Sequence, residues 1–135
     1  MKAYTDLGQS KKLEEILPLE SADMAWCNNS IRGVNYTDEY SANLYTVKEM
    51  KECFDEALNG WDKYWKLIPC WSLAALLDII PNVSIEESIT NGAKTKTWYC
   101  TSVPKNTEGF ESSGCDTPID ACYEMISKLY EQNLL

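Results

Sequence analysis

The chain has no histidine among its 135 residues, and Arg32 is its single arginine. The first absence removes Ser–His and Cys–His nucleophilic pairs, and with them the commonest general base. It also removes histidine-ligated zinc and the HExxH arrangement. The second absence bears on phosphate. Nucleic-acid surfaces are built from clustered Lys and Arg, and the densest basic spots here are Lys11 with Lys12 and Lys94 with Lys96. Twenty-one acidic against 12 basic side chains leave a net charge of −9. Direct nucleic-acid binding is therefore not expected. Long apolar runs are missing too: none reaches the roughly 18 residues of a membrane span. No apolar stretch follows Lys2 as in a secretory leader. A cytoplasmic setting without membrane contact is the expectation.

Glycine is scarce, and Gly33 and Gly92 stand alone rather than in a phosphate-binding loop. No DxDxDG loop is present for calcium. The six cysteines (Cys27, Cys53, Cys70, Cys100, Cys115 and Cys122) are even in number, but the expected compartment favours reduced thiols. Cysteine zinc sites use C-x₂₋₄-C pairs, and the closest pair here, Cys115 and Cys122, has six residues between. The acidic doublets Glu14–Glu15 and Glu86–Glu87 are sequence neighbours, which diverge on a helix or strand. Neither a metal nor a cofactor is expected.

The sharpest nucleophile candidate is Cys70, in the stretch LIPCWSLAALLDIIP. If the helix begins at Cys70, its dipole would lower the thiol pKa. The plainer reading makes Cys70 a small buried hydrophobe and Ser72 the cap of a helix that Leu73 begins. It is preferred because no base accompanies the thiol.

Apolar spacing and breakers predict a helix over residues 6–17, stopped by Pro18, and a half-buried strand over 22–26. Residues 28–46, rich in Asn, Ser and Tyr, read as the likeliest mobile loop, with a short edge strand near 31–36. Met50, Cys53, Phe54, Ala57 and Leu58 give an amphipathic helix ending at Asn59–Gly60. Residues 61–66 fit a helix or a strand. Pro69 breaks that element, and the next helix runs from Cys70 to Pro81. Asn91–Gly92 marks a hairpin turn between strands at 84–90 and 95–103. Residues 104–116 read as loop. Asp116-Thr117-Pro118 opens a last helix, whose buried stripe is Ile119, Cys122, Ile126, Leu129 and Tyr130. The fold class is α+β in one domain, 1–135: a small antiparallel sheet with a hairpin over about 84–103, packed by three to four helices in a single layer on one face.

Aromatics supply the remaining signal. Trp61, Tyr64 and Trp65, with Tyr36 and Tyr40 from the loop, are the candidate partner-contact residues, because Trp and Tyr dominate binding hot spots. Core packing with scattered exposed tyrosines is the plainer account of the same residues. The acidity serves solubility on the plain reading and a basic partner on the sharper one.

Three segments carry a resemblance: LGQSKKLEEILPLESADM (7–24), IPCWSLAALLDIIP (68–81) and DTPIDACYEMISKL (116–129). In this order they resemble a group of small proteins of gut Bacteroidetes and their phages or mobile elements. The firm match covers about a third of the chain. It implies a bacterial or phage cytoplasmic setting and brings no activity and no catalytic residues with it. The resulting expectation is a non-enzymatic interaction module of phage or mobile-element origin that works through a protein partner. The alternatives are a small carboxylate- or Cys-dependent enzyme and a virion or assembly-associated component.

Overall fold

A computed structural model describes residues 2–28, 40–44, 67–89 and 96–135. The chain divides into two compact units, Asp6–Trp71 and Met1–Thr5 with Ser72–Leu135.

In the unit Asp6–Trp71, helix α1 spans Leu7–Glu14. Asp6 caps it: its carboxylate accepts from the Gln9 backbone N–H, and the Gln9 side chain accepts from the Asp6 N–H in return. This reciprocal box satisfies two of the amides that a helix start leaves without partners. Lys11 and Lys12 sit in the last turn, where the dipole favours positive charge. The helix is shorter than the 6–17 expected, yet Leu13 and Leu17 are both buried. A 3₁₀ turn over Leu19–Ser21 leads into β1, Met24–Asn28. Strands β2, Tyr40–Leu44, and β3, Leu67–Cys70, flank β1 in an antiparallel sheet of order β2-β1-β3. The register sets Met24 opposite Leu44 on one side and opposite Cys70 on the other. Helix α1 packs on β3, over Leu13, Leu17, Ala22, Met24, Ala25, Ile68, Cys70 and Trp71. Two indole N–H groups are satisfied here. Trp71 Nε1 donates to Ser21 Oγ at 3.0 Å, and Trp26 Nε1 donates to Ser10 Oγ at 3.1 Å.

The unit Ser72–Leu135 with Met1–Thr5 holds two helices and a second sheet. Helix α2 spans Leu73–Ile79 and α3 spans Pro118–Glu131. Strands β4, Val83–Ile89, β5, Lys96–Ser102, and the two-residue β6, Phe110–Glu111, form a sheet of order β4-β5-β6. Helix α3 packs on β5 and on α2. Its capping follows the sequence expectation: Thr117 Oγ1 accepts from the Asp120 N–H at 3.2 Å, and Pro118 occupies the first turn. Leu76, Ile80, Cys100, Ile119, Ala121, Cys122, Met125, Ile126 and Leu129 form the core of this unit.

The α+β class and the hairpin strands hold. Five details differ from expectation. Among the described residues there are two three-stranded sheets rather than one, because β1 finds partners in 40–44 and 67–70. A strand lies at Tyr40–Leu44, within the stretch read as loop; the edge strand expected at 31–36 lies outside the described residues. Pro69 does not end its element but sits inside β3. That strand is a sheet edge, where a missing N–H can face away from the ladder. Helix α2 accordingly begins at Leu73 behind the Ser72 cap, as the preferred reading of PCWS had it, rather than at Cys70. Tyr130 is 49% exposed. It lies at the margin of the α3 arc, which Ala121 and Met125 extend on its other side. Finally, the stretch 104–116 contains β6 and a bridge pairing Trp98 with Cys115. The helix expected over 47–60 and the Asn91–Gly92 turn lie outside the described residues.

Candidate functional site

Cys70 is fully buried within β3, two residues ahead of the Ser72 cap and outside any helix N-terminus. Ser72 Oγ accepts from the Ala75 N–H at 3.2 Å. The dipole activation that a helix mouth would lend the thiol is therefore missing. PCWS is the end of a strand followed by a cap.

A polar cluster that the sequence did not single out joins the loop after β6 to α3. Glu124 accepts from Ser113 Oγ at 2.8 and 2.6 Å through its two oxygens, and from the Ser113 N–H at 3.2 Å. Cys115 Sγ lies 3.4 Å from Glu124 Oε2. Lys128 Nζ is 3.9 Å from Glu124 Oε1 but donates at 2.7 Å to the Glu111 carbonyl. A serine, a thiol, a carboxylate and an amine so close invite a catalytic reading, and the proton affinities oppose it. The Ser113 hydrogen bonds hold the Glu124 carboxyl below its ordinary pKa, which makes it a weak base. Burial first, then the hydrogen bond to Glu124 and its charge, push the Cys115 thiol up to about 11. A neutral thiol beside a stabilised carboxylate ties a loop to a helix.

Cys100 of β5 and Cys122 of α3 are both fully buried and free. The Cys122 thiol is pushed well above its ordinary range by its hydrogen bond to Cys100 and by burial. Among the described residues no group of three or more Cys, Asp or Glu side chains could hold a metal ion. A pocket of about 150 Å³ is lined by Glu14, Leu17, Leu19 and Pro69. Small-molecule sites usually run to roughly 300–1,000 Å³, and a single carboxylate lines this one. No helix among the described residues is long and apolar enough to cross a membrane.

The feature that stands out is the outer edge of β4. β4 pairs with β5 and, among the described residues, with no other strand. The direction of its backbone groups follows from the ladder. The Ser112 N–H donates to the Cys100 carbonyl, and Trp98 and Cys115 exchange both bonds, so Cys100 and Trp98 face away from β4. In an antiparallel ladder such direction alternates. Thr97, Tyr99 and Thr101 therefore bond to their opposites Ser88, Glu86 and Ser84. The Val103 N–H donating to the Asn82 carbonyl fits the same alternation. The N–H and C=O groups of Val83, Ile85, Glu87 and Ile89 consequently point out of the sheet. Every residue from Glu86 to Ile89 is exposed, with Ile89 at 67%. Glu87 reaches back to Lys96 at 3.2 Å, while Glu86 has no ion pair among the described residues.

Of the expected contact residues, Tyr36, Trp61, Tyr64 and Trp65 lie outside the described residues. Tyr40 opens β2, its backbone opposite Asn28. The β4 edge was missed because both its strand and its partner were read from local pattern, which says nothing about which strands lie outermost. No protein-family model, curated protein or solved structure matches the chain.

Proposed function

We propose that this chain is a non-enzymatic, cytoplasmic interaction module of phage or mobile-element origin, and that it binds a protein partner along the outer edge of β4. The phage or mobile-element origin rests on the resemblance of segments 7–24, 68–81 and 116–129. The binding role rests on one observation: a seven-residue strand, half-buried at Val83 and Ile85 and exposed from Glu86 to Ile89, with an outward row of backbone donors and acceptors. Soluble proteins usually cover, shorten or distort such an edge, because it templates pairing with another chain. Strand addition is also an established mode of peptide recognition. The enzyme alternative is weakened, since Cys70 is buried in β3 outside any helix N-terminus and the Cys115 thiol pKa is pushed up to about 11.

The test is a pull-down from Bacteroidetes lysate, treated with nuclease, that compares the native chain with Ile89→Pro. Proline at 89 removes an outward N–H and leaves the β4–β5 bonds intact. A stoichiometric protein held by the native chain and lost by the variant is the expected result. Equal capture by both, or capture by neither, overturns the reading.

A further inference from the structure

We infer that the occupant of the β4 edge is a basic, extended segment of another protein that adds as a further strand, with alternate residues apolar. The inference rests on the interaction reading above and names the chemistry of the partner. A strand laid against β4 must bond to the outward groups of Val83, Ile85, Glu87 and Ile89. Its side chains then fall into two rows, because strand side chains alternate between faces. One row lies beside Ser84, Glu86 and Ser88. The other lies beside Val83, Ile85, Glu87 and Ile89. The first row meets hydroxyls and the Glu86 carboxylate, which has no ion pair among the described residues, and this favours Lys or Arg. The second meets half-buried Val83 and Ile85 and exposed Ile89, interrupted by a Glu87 whose charge Lys96 shares. That row favours apolar residues.

Charge selects among the possible occupants. The chain carries −9 overall, and the edge itself presents two carboxylates and no cation of its own. A second copy is disfavoured: full antiparallel overlap of two β4 strands sets Glu86 of one copy directly against Glu86 of the other, and like charges directly opposite destabilise a pair. Nucleic acid and anionic lipid are repelled by the same field. A cationic strand is attracted, and the attraction weakens with salt.

Three probe peptides of the length of β4 distinguish the outcomes: one alternating Val and Lys, one alternating Val and Glu, and the Val/Lys peptide with a central Pro. Each is titrated into the full chain, with binding followed by NMR and by amide exchange. The Val/Lys peptide should bind, slow exchange at Ile85, Glu87 and Ile89 by tenfold or more, and weaken as salt rises. The other two should not. Glu86→Lys, whose side chain makes no ion pair among the described residues, should weaken Val/Lys binding by about tenfold and leave the circular dichroism spectrum unchanged. Equal binding of the Val/Lys and Val/Glu peptides, or protection away from β4, contradicts the inference. Val/Lys binding that Glu86→Lys leaves undiminished does the same. If a partner is lost on Ile89→Pro while the Val/Lys peptide never binds, the edge reading stands and the basic-strand inference falls. Concentration-dependent dimers of the free chain that Ile89→Pro abolishes would assign the edge to a second copy instead.

Discussion

Ser113, Cys115 and Glu124 show how single side chains set reactivity here. Of the four cysteines whose burial is described, Cys70, Cys100 and Cys122 are buried and Cys115 is partly open. Alkylation of the native chain by iodoacetamide, mapped by mass spectrometry, should therefore spare those three. Cys115 should react slowly at pH 8 and faster as pH climbs toward about 11. Glu124→Gln removes the charge and the hydrogen bond that help hold its proton, so Cys115 should react several-fold faster, since one unit of pKa changes thiolate content about tenfold. The linkage sign is fixed as well. The folded state keeps this proton after the unfolded chain, near its ordinary 9.0, has lost it. Stability must fall as pH rises between about 9 and about 11. The caps at Ser72 and Thr117 were legible in the sequence, because a cap is a local device of residue type and spacing. The Ser113–Glu124 contact was not, because the two residues are 11 apart in sequence and meet only once β6 and α3 are in place. Thr117→Ala should cost about 1 kcal/mol in chemical denaturation through loss of the α3 cap.

Elements were legible where pattern and breakers agreed, and illegible where tertiary pairing decided. The last helix needed only its cap, its first-turn proline and its apolar period. The β4–β5 strands were legible from the Asn91–Gly92 turn signal between them. β3 was not, because Pro69 reads as a breaker until the strand is known to lie at an edge. β2 was hidden in a polar segment whose strand character comes from pairing with β1. Ile126→Ala should cost about 2–5 kcal/mol, a fully buried side chain being replaced by a cavity between α3 and its neighbours. Gly114→Ala tests the loop that bridges to β5. An added Cβ would lie 2.6 Å from Thr97 Cγ2 and 3.2 Å from the Tyr99 hydroxyl. Overpacking of this kind costs about 1–3 kcal/mol, and thermal unfolding should show it.

At the scale of the whole molecule, the property that bears on the partner is the net charge of −9. The sequence left it open between solubility, the plainer reading, and a basic partner; at the β4 edge it now argues against a second copy. What charge could not supply was the location, which depends on strand order. The central claim is that β4, which pairs with β5 alone among the described residues, is an open edge whose amides alternate between inward-bonded and outward-facing. Residue-resolved amide exchange on the free chain tests this directly. Ser84, Glu86 and Ser88 should exchange slowly, while Ile85, Glu87 and Ile89 should exchange at close to the rate of an unprotected chain. Uniform protection along β4, or a pattern shifted by one residue, would contradict the account.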